Sequence, residues 1–273
     1  MNHVFQETEP LSNPITYWHV QSKHKNLPYH ILVSVPKVEP PIAGFPVIYV
    51  LDGNAFFYTV KEQVRLQSTR PDRTKIPPSI VVGIGYPNDQ DFEHKRRFYD
   101  FTFLTKENLP PHPKGMDWPE TGGAEYFLSF IENELKTFIS QKYPVDQNQQ
   151  SIFGHSLGGL LALEILYSRP NCFQTYLASS PSIWWNDRNI LKRNSSFSAF
   201  LPSLNSKIGL FLSVGALERD HMIHDAKVLY DQLTSITHPY FKVGFYNAGE
   251  ENHLSVVPTI LSRALRFIEQ KHK

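Results

Sequence analysis

A serine between glycines supplies the strongest chemical signal in this chain. Residues 154–159 read GHSLGG, so Ser156 occupies the centre of a G-x-S-x-G motif. The short strand-like run SIF, at 151–153, precedes it, and a helix-forming stretch, 160–166, follows. A strand–serine–helix turn forces the serine into strained backbone geometry and exposes its hydroxyl at a helix N-terminus, where negative charge is stabilised. Glycines two positions on either side are expected because side chains there would collide with the neighbouring strand and helix. Ser156 is therefore predicted to be a nucleophile, with an ordinary glycine-rich turn as the alternative.

A serine hydroxyl is a weak nucleophile and needs a base, for which twelve histidines compete. In hydrolases with such a turn, the chain order is serine, acid and then histidine, and the histidine follows the last strand. His253 comes after a predicted strand at 240–246 and just before the final helix, whereas His238 lies at the wrong end of that strand. His221 and His224 are three residues apart at a helix start, which is more typical of a solvated face than of a metal site. His253 is the predicted general base.

The acid is expected in residues 215–220 (GALERD), which follow another predicted strand. Glu218 is the first carboxylate there and Asp220 the second, and either could merely cap the following helix. We favour Glu218. A Ser–His pair without a tightly held acid stays open, because the acid mainly orients the imidazole and stabilises its cation.

Acyl transfer also requires two hydrogen-bond donors aimed at the oxyanion. The backbone amide of Leu157, directly after the nucleophile, is the first candidate. The second is expected from the loop after the predicted strand 46–51, where Gly53 permits close backbone approach. The amide of Gly53 or Asn54 is therefore predicted to complete the oxyanion hole.

The elements that position these residues alternate along the chain. Short apolar runs predict strands at 29–35, 46–51, 80–84, 151–153, 175–178, 208–214 and 240–246. Helical periodicity predicts helices at 125–141, 156–167, 221–236 and 256–270. Several strands are apolar throughout, as strands covered on both faces must be. The pattern indicates an α/β fold with a mainly parallel central sheet and helices on both faces.

One interval, at about 86–123, breaks this alternation. It is rich in proline and contains a basic and aromatic run, KRRFY, at 95–99. A long loop in a compact domain is usually a lid or a binding loop, although a tolerated surface insertion is an equal alternative. Because no repeat or linker is evident, residues 1–273 are predicted to form a single domain with this loop insertion.

Bulk composition excludes several classes of function. Hydrophobic residues make up 41% of the chain and charged residues 19%, which is ordinary for a globular protein. The formal net charge of +1 gives no global field that would attract nucleic acid or a membrane surface. A single cysteine, Cys172, rules out an intrachain disulfide, and the N-terminus lacks the pattern of a signal peptide. A cytoplasmic protein without a metal or organic cofactor is expected, and its oligomeric state stays open.

Four motifs together carry a family resemblance. They are VIYVLDG at 47–53, GHSLGG at 154–159, ASSPSIWW at 178–185 and VGALE at 214–218. With them the chain resembles the putative-esterase family of α/β-hydrolases, which includes S-formylglutathione hydrolases, feruloyl esterases, mycolyltransferases and siderophore esterases. The SPSIWW stretch and the single-domain length look most like the intracellular esterases that open ferric catecholate trilactones of the enterobactin or bacillibactin type.

The resemblance implies an α/β-hydrolase fold and a serine esterase with Ser156, His253 and Glu218 in the catalytic positions. The glycine pair that usually precedes the histidine of this family is absent, since Gly249 is followed by EEN. The resemblance also implies that Arg97 and the pair Trp184 and Trp185 contact the substrate, a trianion with aromatic faces. Any iron would belong to the substrate.

Two other functions compete with siderophore hydrolysis. An esterase or thioesterase of the same family could act on small acyl or feruloyl esters, and a non-catalytic scaffold of this fold could bind a ligand or partner. The intact serine motif disfavours the scaffold. The two enzymes differ in their pockets, because a siderophore requires an open, basic, aromatic-lined cleft and a small ester a narrow apolar one.

Overall fold

One eight-stranded sheet organises the chain in the computed structural model, which describes residues 15–105, 109, 112, 115–204 and 206–270. The strands are β1 (Ile15–Gln21), β2 (Pro28–Ser34), β3 (Phe45–Leu51), β4 (Ile80–Gly85), β5 (Val145–His155), β6 (Thr175–Ser179), β7 (Ile208–Gly215) and β8 (Phe241–Ala248). Their order is β1-β2-β4-β3-β5-β6-β7-β8. The pairs β1–β2 and β2–β4 are antiparallel, and all pairs from β4–β3 to β7–β8 are parallel.

Ten helices surround this sheet in the described ranges. They are α1 (Gly53–Gln67), α2 (Pro71–Thr74), α3 (His94–Phe101), α4 (Ala124–Ser129), α5 (Lys136–Lys142), α6 (Leu157–Ser168), α7 (Trp185–Arg188), α8 (Asn194–Phe200), α9 (Asp220–Thr234) and α10 (Val256–Gln270). A π-helical segment, Phe130–Leu135, joins α4 to α5. Short 3₁₀ turns at Asn189–Arg193 and Leu201–Ser203 flank α8. No helix in the described ranges has the length and apolar character that crossing a membrane would require.

The central strands are buried along their whole length, because helices cover both faces of the sheet. Every residue of β3, β4, β6 and β7 is buried. One hydrophobic cluster lies between the sheet and α1 and α10, and a second lies between the sheet and the group α3, α4, α6 and α9. The predicted α/β class, with a mainly parallel sheet and helices on both faces, is confirmed.

The structure contains elements that the sequence patterns did not predict. Strand β1 and helix α1 were both missed, and β5 starts six residues before the predicted strand. The interval 86–123 contains helix α3 and a bridge between Phe103 and Gly123, so it is not a simple loop. Residues 106–108, 110, 111, 113 and 114 of that interval, and the N-terminal residues 1–14, lie outside the described residues.

The carboxyl edge of the parallel strands gathers the residues singled out from the sequence. Gly53 follows β3, Ser156 follows β5, Glu218 lies just after β7 and His253 comes after β8. Parallel strands end at the same edge of a sheet, and ligands of open α/β sheets bind outside that edge. Residues up to 200 positions apart in sequence are brought together in this way.

Candidate active site

Ser156 occupies the turn between β5 and α6 with backbone angles φ 58° and ψ −116°. A positive φ is unusual for a residue with a side chain and costs about 1–3 kcal/mol, so the surroundings must hold it. The Ser156 amide donates to the Ser179 carbonyl at 3.0 Å, and the Ser156 carbonyl accepts from the Ser182 amide at 3.0 Å. The strained turn predicted from the motif is therefore present and is clamped by the segment after β6.

The glycines around Ser156 are not equally constrained. A Cβ atom on Gly154 would lie 2.1 Å from the Gly158 carbonyl oxygen, a distance that backbone atoms cannot tolerate. A Cβ on Gly158 would have Asp52 Oδ2 as its nearest neighbour at 3.4 Å, which is ordinary contact, whereas one on Gly159 would approach the Ser179 carbonyl oxygen to 2.9 Å. The expected collision occurs before the serine. After it, the tight position is Gly159 rather than the motif glycine.

His253 lies in the loop between β8 and α10, and this loop is tied down at several points. The Asn252 side-chain oxygen accepts from the amides of Leu254 and Ser255, at 2.9 and 3.1 Å. The carbonyl of Glu251 accepts from the Leu217 amide at 2.9 Å, which joins the histidine loop to the acid loop. Glu250 has a φ of 63°. A charged residue thus takes the left-handed conformation in the stretch where the family's glycine pair is missing.

Glu218 is the carboxylate that the structure brings to His253. Its Oε2 lies 2.8 Å from His253 Nδ1, and its Oε1 accepts from the Ser180 hydroxyl at 2.5 Å and the Gly215 amide at 2.7 Å. Burial by itself raises the pKa of Glu218, but the hydrogen bonds from His253, Ser180 and Gly215 outweigh it and hold this pKa below its ordinary value. Asp220, the alternative acid, is exposed at the start of α9.

Ser156 and His253 border one cavity of about 910 Å³. Because His253 Nδ1 faces Glu218, the other ring nitrogen, Nε2, is the one free to accept a proton. Among the described residues no hydrogen bond joins Ser156 to His253, and the Ser156 hydroxyl instead lies 3.3 Å from the Ser182 hydroxyl. Catalytic hydrogen bonds are often long or absent before substrate enters, and rotation about one side-chain bond would turn the serine oxygen from Ser182.

The predicted oxyanion donors lie at the starts of two helices. Leu157 is the first residue of α6, and Gly53 and Asn54 are the first two of α1. First-turn amides of a helix lack intrahelical acceptors and are therefore available to an anion. Asp52, the residue before α1, has a φ of 50°, and its carbonyl accepts from the amides of Ala55 and Phe56 at 2.9 and 3.1 Å.

Two of the three predicted substrate contacts are placed elsewhere by the structure. Trp184 borders the cavity. Trp185 is buried instead and packs edge-on against Trp118, with ring centroids 4.9 Å apart. Arg97 is also buried, because its Nε donates to Asp52 Oδ1 at 2.6 Å and its guanidinium lies over the Phe92 ring. The basic and aromatic run at 95–99 therefore does not reach the cavity through Arg97.

Several residues of the site were missed or left unassigned by the sequence analysis. Ser180 and Ser182 are part of the SPSIWW signature, but that signature gave them no role. The cavity is also bordered by residues to which the sequence analysis gave no role in the site, namely Arg188, Leu217, Arg219, His221, Met222, Asn252 and Leu254. In the described ranges, no group of three or more His, Cys, Asp or Glu residues is arranged to hold a metal ion.

His155, the variable residue of the serine motif, is buried beside the site. Its ring centroid lies 4.5 Å from that of His253. Burial, followed by the nearby charges of His253 and Arg97, holds the pKa of His155 well below its ordinary value. His155 is therefore neutral and acts as packing for the His253 ring.

Comparison with known proteins relates this chain to esterases. The sequence model of the family described as "Putative esterase" matches residues 22–254. The ferri-bacillibactin esterase BesA of Bacillus subtilis (strain 168) is 44% identical over 252 residues, which cover 91% of this chain and 87% of that relative. The siderophore enterobactin esterase of Emericella nidulans is 40% identical over 190 residues, 66% of this chain and 61% of the relative.

Solved structures agree with the sequence comparison. The BES protein from Bacillus cereus superposes with a TM-score of 0.91 at 46% identity, over 97% of this chain and 99% of that one. The siderophore hydrolase EstA from Aspergillus nidulans superposes with a TM-score of 0.82 at 30% identity, over 99% of both chains. The fold is therefore shared along nearly the whole chain.

The turn at Ser156 predicts opposite outcomes for two glycine substitutions. Gly154→Ala should lower the free energy of unfolding by about 3 kcal/mol or more, because its Cβ would collide with backbone. Gly158→Ala should change it by no more than about 1 kcal/mol, since the new Cβ meets only ordinary contacts and alanine favours the helix. Urea unfolding of both variants measures the difference. Equal losses would contradict this account of the turn.

The donors to Glu218 predict a pH-dependent loss of stability in Ser180→Ala. A carboxylate with a lowered pKa stabilises the fold above its unfolded pKa, and this contribution is lost as the pH falls through the folded pKa. Removing the Ser180 hydroxyl should therefore cost about 1–2 kcal/mol at neutral pH and progressively less as the carboxyl protonates. Urea unfolding at about pH 7 and in steps down to about pH 3, below the ordinary carboxyl pKa of about 4.3, tests this. Ser182→Ala is the control and should show a loss independent of pH, because among the described residues the Ser182 hydroxyl has a hydrogen bond with Ser156 alone.

Proposed function

The chain belongs to the Putative esterase family, and from that membership we propose that it is a serine esterase that hydrolyses the ester bonds of a ferric catecholate siderophore trilactone. The substrate class is carried by the 44% identity, over 91% of the chain, to an esterase of ferri-bacillibactin. The chemistry is supported by the strained Ser156 and the Glu218–His253 contact beside one cavity.

In the proposed reaction, Ser156 Oγ turns from Ser182 and gives its proton to His253 Nε2 as it attacks an ester carbonyl carbon. The amide of Leu157 and that of Gly53 or Asn54 stabilise the negative oxygen of the tetrahedral intermediate. Collapse breaks the bond to the leaving alkoxide, which takes the proton from His253 Nε2. A water molecule, deprotonated by His253, then attacks the acyl-enzyme, and Ser156 leaves with the proton returned.

Glu218 stabilises the imidazolium that forms in each half of this reaction. Its three hydrogen bonds fix the carboxylate against His253 Nδ1, which sets the tautomer with Nε2 free for catalysis. The lowered pKa of Glu218 keeps the carboxylate ionised throughout the neutral range. We therefore assign a Ser–His–Glu triad rather than a Ser–His pair or a triad with Asp220.

The cavity favours a bulky charged substrate over a small ester. Its volume of about 910 Å³ is at the upper end of ordinary ligand sites. Trp184 offers a planar surface, and Arg188 and Arg219 bring positive charge to its border. These are the features expected of a siderophore cleft and not of a narrow apolar pocket. We place the reaction in the cytoplasm, where cleavage of the trilactone weakens the ligand and aids iron release.

We also propose that residues 1–273 form a single domain. Both hydrophobic clusters of the described residues pack on the same sheet, one on each face. A chain with one shared sheet has no internal boundary at which it could divide into independent cores.

The proposed function predicts stepwise cleavage of catecholate trilactones. Wild-type protein should convert the ring to linear trimer, dimer and monomer, and Ser156→Ala should lose at least about a thousandfold in rate because the nucleophile is gone. Mass analysis of the products over time measures both. Ser182→Ala is the matched control, since it removes a neighbouring hydroxyl of the same cavity and should keep turnover within about tenfold.

Two other outcomes would redirect this assignment. Turnover of p-nitrophenyl esters that depends on Ser156, without cleavage of any trilactone, would keep the hydrolase and reject the siderophore. A folded protein whose Ser156 is not labelled by an active-site phosphonate would instead indicate a non-catalytic scaffold.

A further inference from the structure

Two arginines border the cavity, and the proposed acyl transfer uses neither. Arg219 is exposed, directly follows Glu218 in the chain, and its guanidinium has no hydrogen-bond or ion-pair partner among the described residues. Arg188 donates from Nε to both carboxylate oxygens of Asp225, at 2.8 Å each. Its side chain remains 44% exposed while that of Asp225 is 2% exposed, so the guanidinium is anchored at one edge and open at the other.

The backbone that carries Arg188 is strained. Asn186, Asp187 and Arg188 have φ values of 47°, 50° and 55°, so three consecutive residues adopt the left-handed conformation. Asparagine and aspartate tolerate this region better than most residues, but arginine gains nothing from it. Such strain persists only where the surrounding structure enforces it, and it is concentrated at functional sites. The bond to Asp225, a buried residue of α9, is one contact that holds this segment.

Charges around the cavity do not cancel. Among its described lining residues, Glu218 is the only carboxylate, and that group is committed to His253, Ser180 and Gly215. Asp225 balances one arginine, which leaves the second cation without a counter-charge. The border also presents flat and apolar surface, with Trp184 and with Leu217 and Leu254 at 67% and 61% exposure, next to uncharged polar groups such as Ser182 and Asn252. The ligand that complements this surface is an anion with flat aromatic faces.

We propose that Arg188, fixed by Asp225, and Arg219 are specificity-determining residues that select the iron-loaded form of the substrate over the iron-free form. The inference rests on the proposed function. Three catechol groups lose six protons when they bind one ferric ion, so the complex carries three negative charges, whereas the iron-free ligand is neutral near pH 7. Arginine stays protonated at any physiological pH, and the selection is therefore built on a constant charge.

The test measures binding and not turnover. The ligand is a tris-catecholate on an ester-free triamide scaffold, which the protein cannot cleave, titrated by calorimetry in its ferric and iron-free forms. Wild-type protein should bind the ferric form about tenfold or more tightly than the iron-free form. Arg188→Gln and Arg219→Gln should each lower that ratio about three- to tenfold, while the dissociation constant of the iron-free form changes less than about twofold.

The matched control is Arg73→Gln. Arg73 is 75% exposed on α2, next to the far end of α1 from the cavity, and its loss changes the net charge by the same amount. Asp225→Asn adds a second measurement, because it keeps the shape of the side chain but weakens the anchor of Arg188. It should lower the ratio less than Arg188→Gln does, and its melting temperature checks that a change at this buried position leaves the protein folded.

An unchanged ratio of ferric to iron-free affinity in both Arg188→Gln and Arg219→Gln would overturn the inference. An equal fall of this ratio in Arg73→Gln would overturn it too, because the effect would then come from the net charge of the protein and not from the cavity. Cleavage of trilactones is measured separately. If trilactones are not cut but the ratio falls as expected, the proposed function fails and the anion selection stands. If they are cut and the ratio does not respond, only the selection fails.

Discussion

The arrangement of this site depends on one buried carboxylate. Glu218 receives donors from three separate segments: the Gly215 amide at the end of β7, the Ser180 hydroxyl after β6 and His253 after β8. A buried charge is tolerated only when hydrogen bonds replace the water that it has lost. Each of the three loops is therefore held in place by its hydrogen bond to the Glu218 carboxylate. The position of the base relative to the nucleophile follows from that constraint.

The segment after β6 transmits the constraint to the nucleophile. Ser180 holds Glu218, while the backbone of Ser179 and Ser182 fixes both sides of Ser156 through its amide and carbonyl. Residues 179–182 thus contact both the acid and the serine turn, and this connection does not involve His253. The sheet makes this possible because β5, β6 and β7 are adjacent and parallel, and their carboxyl ends lie side by side.

The sequence predicted what depends on local pattern and order along the chain. The apolar runs located seven of the eight strands, and the motif placed Ser156 at a strained turn. Burial could not be inferred from residue type. Arg97 was predicted to contact the substrate because it belongs to a basic and aromatic run, but α3 turns it inward to Asp52, 45 residues earlier in the chain. Arg188 and Arg219 carry no local signal, since their place at the cavity depends on Asp225 and on the loop after β7.

Helix α1 was missed for a related reason. No side chain caps its N-terminus, and the residue before it, Asp52, takes the left-handed conformation, which no local pattern announces.

Backbone strain in the described residues is concentrated at one edge of the molecule. Ten non-glycine residues have positive φ, and seven of them follow the carboxyl ends of β3, β5, β6 or β8: Asp52, Ser156, Ser180, Asn186, Asp187, Arg188 and Glu250. The free energy gained by burying the central strands offsets the cost of these strained turns. In return, donors, nucleophile and cations are fixed before a substrate arrives, so little reorganisation is needed when charge develops at the ester. The same rigidity explains why Glu250 can adopt the left-handed conformation that usually favours glycine. Hydrogen bonds to residues on both sides of it, at Ala248, Glu251 and Asn252, hold the loop in that conformation.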